Sequence, residues 1–237
     1  MVSALHCRYR ALEDLPSDRQ AAANWLSPAE FDFWSAMKST TRRATWLAGR
    51  VLAKQLIAEC LRDQRDRRAS LTPTEVHIES RSPEKRLGAR PTVFVSGQSL
   101  NCGLSIAHSA RGVLVAVGTD ASVGVDLVAT EECRAESLDW CFSAAERSWL
   151  AALPRRQCGV QRLWAMKEAI FKACHAGGGF APQRIEIVAG PDQTCSWSRV
   201  VRRLQCWRVD SHVAALAVAD RAAGFQNHYP RIVESRS

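Results

Sequence analysis

No apolar run in this chain approaches the roughly 18–20 residues that a helix needs to cross a bilayer. A membrane-spanning protein is therefore not expected. The first residues, Met1-Val-Ser-Ala-Leu-His-Cys-Arg-Tyr-Arg10, lack the basic-then-apolar pattern of a secretory signal, so the chain reads as cytoplasmic. Its nine cysteines are odd in number and include no C-x-x-C pair. That argues against a secreted disulfide framework and against a zinc ribbon, and leaves reduced, packed thiols. Lysine is scarce, with only Lys38, Lys54, Lys85, Lys167 and Lys172. Zinc-finger spacing, an RNA-binding aromatic motif and a basic zipper are all missing, so nothing but net charge speaks for nucleic acid.

What is present is the balance of a globular protein. The 237 residues are 46% hydrophobic and 24% charged, with a formal net charge of +8. A basic balance admits nucleic acid, an acidic protein partner or a phosphate-rich small molecule, or simply an arginine-rich surface. The one local cluster, Arg62, Arg65, Arg67 and Arg68, alternates with Asp63 and Asp66 and reads as a solvated loop.

Hydrophobic periodicity supplies the elements. Residues 2–10 alternate weakly, as an edge strand does. Ser27-Pro28-Ala29-Glu30 is a helix start, with a capping serine, proline in the first turn and glutamate three residues on. A long helix is expected from about Thr41 to Leu61, and loops at 62–74 and 80–91. Strands are expected over 101–108, 112–119, 123–128, 183–188, 205–210 and 212–220. Phe142-Ser143-Ala-Ala-Glu146 starts another capped helix. A helix from Gln157 to His175 ends at Gly177-Gly178-Gly179, and the last dozen residues are polar.

The two halves run in parallel. Trp46-x3-Arg50-x3-Lys54 has the spacing of Trp164-x3-Glu168-x3-Lys172, and the apolar segments 112–120 and 212–220 both end in aspartate. Chance likeness of Ala/Val-rich segments is one explanation. The other is an α+β fold of two similar α/β halves, related by a pseudo-twofold axis, each a small sheet on a long helix. A cleft would then lie between residues 1–119 and 120–237, where ligand sites are favoured.

Four segments carry chemistry. In Val123-Gly124-Val125-Asp126-Leu127-Val128, alternation sends Val123, Val125 and Leu127 to a core and Gly124, Asp126 and Val128 the other way. An aspartate inside an apolar strand needs a partner, either an arginine or a hard cation. On the helix 157–175, Trp164, Glu168 and Lys172 share a stripe; Glu168 and Lys172 form a surface ion pair or, given the tryptophan, a partly buried one. Leu104-Ser105-Ile106-Ala107-His108-Ser109 ends a strand in a histidine that is structural or donates to a phosphate. Gly88-Ala89-Arg90-Pro91 offers an arginine that can fork onto a phosphate.

Taken in order, these segments resemble the 4′-phosphopantetheinyl transferases of the surfactin type. The arginine-bearing helix (Arg42-Arg43 to Arg50), the G-x-basic-P loop (Gly88–Pro91) and the serine-histidine-serine strand end (Ser105–Ser109) come first. A G-[IV]-D strand (Gly124–Val128), an F-S-x-x-E segment (Phe142–Glu146) and a complete W-x-x-K-E-A-x-x-K helix (Trp164–Lys172) follow. The likeness spans roughly residues 27–188. It implies two similar α+β halves and an enzyme that moves the phosphopantetheine arm of coenzyme A onto a serine of an apo acyl or peptidyl carrier protein, releasing 3′,5′-ADP.

By position, the resemblance implies that Asp126 and Glu168 hold Mg²⁺ (or Mn²⁺) on the coenzyme A pyrophosphate. Glu168 and Lys172 would be catalytic, and Arg43, Arg50, Arg90, His108, Ser109 and Lys172 would bind the phosphates. The first half would supply coenzyme A contacts, the second the metal and catalytic residues. The positive charge would suit acidic carrier proteins, and a chain holding both halves would act as a monomer. Two departures stand out. Val128 occupies the place of the family's second strand acid, as an apolar residue does in the small bacterial acyl-carrier-protein synthases. Ala107 replaces the usual serine before His108. The first departure leaves open a degenerate member that binds carrier or coenzyme A without transfer.

Overall fold

A computed structural model gives the architecture and describes residues 4–63, 71–81, 87–131, 140–174, 179–188, 194–195 and 200–220. Strand β1 (Leu5–Ala11) is followed by helices α1 (Arg19–Trp25), α2 (Pro28–Ser35) and α3 (Thr40–Asp63). Strands β2 (Val76–Arg81), β3 (Leu87–Val95), β4 (Gln98–Leu100), β5 (Cys102–His108), β6 (Gly112–Thr119) and β7 (Ala121–Ala129) come next. Helices α4 (Ala144–Ala151) and α5 (Arg156–Cys174) precede β8 (Ile187–Val188), β9 (Thr194–Cys195), β10 (Val201–Val209) and β11 (His212–Asp220). The fold is α+β, built on small antiparallel sheets.

Two three-stranded sheets, ordered β1-β6-β5 and β10-β11-β7, form the middle. Strict alternation decides their faces. On β6, Val113, Val115 and Val117 pack on α3, whereas Leu114 and Ala116 turn toward the other sheet. On β11, Val213, Ala215, Ala217 and Ala219 pack on α5, whereas Ala214 and Leu216 turn inward. Val123, Val125 and Leu127 of β7 join that inward layer. The layers therefore run α3, sheet, sheet, α5. Where β5 meets β7, the Val125 amide donates to Ser105 Oγ at 3.0 Å.

One set of contacts occurs twice. Ser27 and Ser143 each start a helix in a capping box with Glu30 and Glu146. Both glutamates then turn inward. Glu30 takes the Lys54 ammonium at 2.6 Å and the Ile78 amide at 3.2 Å. Glu146 takes Lys167 at 2.7 Å and the Ile187 amide at 2.9 Å. Each lysine also reaches a proline carbonyl, Pro73 for Lys54 and Pro182 for Lys167. Burial pulls both ammonium groups down, and the glutamate partners oppose it. Lys54 thus corresponds in contacts to Lys167, five positions before Lys172; the matching tryptophan spacing had aligned Lys54 with Lys172. The reason is burial, since Lys167 is fully enclosed and Lys172 lies at the surface of a cleft.

Two expected elements are corrected. Residues 80–91 do not form one loop: β2 and β3 pair across Val76↔Val95 to Glu79↔Thr92, with a register shift before Arg81↔Leu87. Gly88 and Pro91 suggested a break. Pro91 is tolerated because it falls where the register shifts and beyond the reach of β4, which pairs only with Val93–Val95. Residues 183–188 similarly divide into a 3-10 turn, Pro182–Arg184, and the short β8. Residues 64–70 and 82–86, Gly177-Gly178 and the polar C-terminus lie outside the described residues.

Candidate active site

The site begins with a missing side chain. A β-carbon on Gly124 would lie 2.0 Å from the Ala169 carbonyl oxygen and 2.4 Å from the Ala173 amide nitrogen. Glycine alone lets α5 descend this far onto β7. Two residues further along the same face of β7, Asp126 meets Lys172 from the last turn of α5, with Oδ1 accepting from Nζ at 2.7 Å. Glu168, one turn earlier, places Oε2 3.8 Å from the same nitrogen. The two carboxylate oxygens therefore lie within about 6.5 Å of each other, the sum of those distances. Val128, two residues beyond Asp126, is buried in the apolar core beneath α5 and offers no ligand.

Lys172 also faces a cleft of about 550 Å³. Arg42, Arg50, Arg90 and His108 line it as well, with Glu79 as an exposed acid among them. Arg50 is held from three sides. It stacks on Trp46 at 4.5 Å, donates to Ser80 Oγ at 2.8 Å, and has Nε 3.3 Å from Glu30. Burial draws its guanidinium down to about 10 despite Glu30, still well above neutrality. Arg90 leaves β3 to donate to Ser122 Oγ at 2.9 Å and to the Ala173 carbonyl at 2.7 Å. It thereby caps the C-terminus of α5 from the first half of the chain, as a cation there should.

Electrostatics in the cleft favour anions. Burial lowers the His108 pKa, and the Lys172 cation lowers it further. Although the residue is exposed, the surrounding cleft walls and the Lys172 charge favour its neutral imidazole. Burial raises the Glu168 carboxyl above its ordinary value, with Lys172 opposing and Asp126 adding to the shift. An acid so raised is a better proton acceptor than an ordinary glutamate.

Of the residues singled out in the sequence, Arg50, Arg90, His108 and Lys172 line the cleft, and Asp126 and Glu168 stand behind Lys172. Two are directed elsewhere. Ser109 is buried and closes the β5–β6 turn, accepting from the Arg111 and Gly112 amides at 3.1 Å, with His212 Nε2 2.7 Å from its hydroxyl. Arg43 stacks on Trp34 at 5.6 Å and its carbonyl accepts the Trp34 indole at 3.1 Å. Its neighbour Arg42 faces the cleft instead. The signal was available: Arg42, Trp46 and Arg50 recur every four residues on one helical stripe. Phe171, which packs on Phe180 at 4.9 Å and lines the cleft, was also missed, as were Ser80, the first residue of the expected loop, and Glu79 just before it.

Asp126 and Glu168 suit a hard divalent cation. They are oxygen donors already converging on a positive charge, and an ion held at about 2.1 Å by one and reached through a water from the other spans the distance that bounds their separation. Among the described residues no group of three His, Cys, Asp or Glu gathers, so the protein would supply two carboxylates and solvent the rest.

Comparison with known proteins bears on this half of the chain. Residues 122–223, somewhat under half of the sequence, match the model of the 4′-phosphopantetheinyl transferase superfamily. The matched segment contains Asp126, Glu168 and Lys172 but not the arginines of the cleft. A crystal structure of holo-[acyl-carrier-protein] synthase from Thermotoga maritima is similar at 19% identity, with a TM-score of 0.38. That similarity covers 42% of this chain and 63% of the other. No curated protein matches the sequence.

Proposed function

We propose that this protein transfers the 4′-phosphopantetheine group of coenzyme A to a serine of an apo acyl or peptidyl carrier protein, releasing 3′,5′-ADP. The observation that carries the proposal is the convergence of Asp126 and Glu168 on Lys172 at the wall of an arginine-lined cleft, within the segment that matches the transferase superfamily. Phosphoryl transfer asks a protein mainly for positioning and charge neutralisation, and these residues supply both.

In this reading Asp126 and Glu168 hold Mg²⁺, or Mn²⁺, whose charge offsets that of the coenzyme A pyrophosphate. Lys172, Arg50 and Arg42 neutralise phosphate oxygens, and His108 donates to one as a neutral imidazole. Arg90 fixes the end of α5, and so the position of Lys172, through its bonds to Ser122 and Ala173. Glu168 accepts the carrier serine proton, directly or through a water, as its raised pKa suits. The phosphorus–oxygen bond to the serine forms as the bond to the departing 3′,5′-ADP breaks. Because the cleft draws arginines from the first half and Lys172, with the two carboxylates behind it, from the second, the surfactin-type arrangement, a monomer complete in one chain, is the form we propose. An acidic carrier surface would be attracted by the net charge of +8.

A second reading, a protein that binds coenzyme A or carrier without transfer, is favoured by one observation: Val128 is buried under α5, where the family's further acid would stand. Incubation with coenzyme A, Mg²⁺ and a panel of apo carriers, followed by intact-mass analysis, separates the two. The transferase adds one phosphopantetheine to at least one carrier; coenzyme A binding with every carrier unchanged establishes the second reading instead.

A further inference from the structure

Lys172 has two sets of possible partners. Behind it lie Asp126 Oδ1 at 2.7 Å and Glu168 Oε2 at 3.8 Å; in front lies the cleft with Arg42, Arg50 and Arg90. Asp126 and Glu168 do not line that cleft, whereas Lys172 does. Its side chain is 31% exposed, and its four-carbon stem leaves the ammonium free to swing between the two sides.

We propose that Lys172 is a counter-cation handed over during loading: it neutralises the Asp126–Glu168 pair until a divalent ion takes those oxygens, and then turns to the phosphate in the cleft. Divalent-ion binding and phosphate binding are thereby coupled through one lysine. The proposal rests on the functional reading above and adds an order and an energetic link to it.

The charge count supports the link. Two carboxylates and one ammonium sum to −1, and Val128 adds nothing where a third acid would bring the count to −2. A divalent ion entering beside Lys172 turns the group positive, next to a wall that already carries arginines. An ion alone therefore binds against both the existing ion pair and the like charge of the lysine. A phosphate ligand removes both obstacles, since it gives Lys172 a new partner and supplies negative charge. By linkage, the ion must strengthen phosphate binding by the same factor.

The test is a Mn²⁺ titration followed by electron paramagnetic resonance of the free ion, on metal-stripped protein without nucleotide. Lys172→Met should bind Mn²⁺ about three- to tenfold more tightly than wild type, the range expected for removing a competing cation at a partly exposed site. Lys172→Arg, which retains the charge, should bind close to wild type. Asp126→Asn added to Lys172→Met should abolish the gain, locating the ion at this pair. Saturating 3′,5′-ADP should tighten Mn²⁺ binding more in wild type than in Lys172→Met. Equal or weaker Mn²⁺ binding by Lys172→Met, or a gain that survives Asp126→Asn, overturns the handover. The carrier-mass assay on wild type reports the transferase reading separately: mass gain without tightening rejects the handover alone, and tightening without mass gain rejects transfer alone.

Discussion

Gly124 on β7 and Ala169 on α5 approach so closely that a β-carbon at position 124 would lie 2.0 Å from the Ala169 carbonyl oxygen. That contact sets the height of α5 above the strand, and with it the meeting of Lys172 and Glu168 with Asp126. Gly124→Ala must push helix and strand apart, at a cost of about 1–3 kcal/mol in stability. Transfer should fall on the order of a hundredfold, because a displacement near 1 Å is enough for such a loss. Binding of 3′,5′-ADP to the arginine wall should change far less. Steady-state kinetics and calorimetric titration of the same variant make the comparison.

The buried Glu146–Lys167 pair should matter to folding far more than any ion pair at the surface. Lys167 lies within hydrogen-bonding distance of four oxygens, those of Cys141, Glu146, Pro182 and Ile185. Glu146→Gln leaves the ammonium enclosed without its counter-charge and should destabilise the protein by about 3–5 kcal/mol. Glu59→Gln, which breaks the half-exposed pair with Arg8, should cost less than about 1 kcal/mol. Urea midpoints measure both.

Neighbouring arginines should differ sharply. Arg42 faces the cleft and Arg43 stacks on Trp34. Arg42→Ala should raise the KM for coenzyme A about fivefold with little change in kcat, as expected for a phosphate contact made equally before and during reaction. Arg43→Ala should leave KM within about twofold.

His108 should make phosphate binding pH-dependent. Its pKa is depressed by burial and by Lys172, so the fold favours the neutral ring. Its stabilising contribution is present above the ordinary histidine value and is lost as pH falls below it. A phosphate placed beside the ring favours the charged form and draws a proton in. Affinity for 3′,5′-ADP should therefore rise as pH drops from 7 toward 5.5, and His108→Gln should flatten that slope. Calorimetry in two buffers of different ionisation heat measures the proton taken up.

The alternating strands were legible because each face has a different neighbour: the ranges 112–119 and 212–220 coincide with β6 and β11, and Asp126 and Val128 do turn away from Val125 and Leu127. The capping boxes at Ser27 and Ser143 were legible because their bonds are local. What failed depended on distant partners. Gly88 and Pro91 are local break signals, yet Val76–Glu79 supply a pairing edge that overrides them. The family resemblance implies Ser109 as a phosphate contact, whereas His212, about a hundred residues away, lies against its hydroxyl. Lys172 was readable as a partner of Glu168 by helical spacing, whereas its shorter contact is to Asp126 across the chain.

The most direct measurement is the mass of an apo carrier protein after incubation with coenzyme A and Mg²⁺ and either wild type, Asp126→Asn or Glu168→Gln. Wild type should add one phosphopantetheine group, and each variant should leave the carrier unmodified over the same interval while remaining folded. A variant that modifies the carrier as fast as wild type would contradict a divalent ion shared by these two acids.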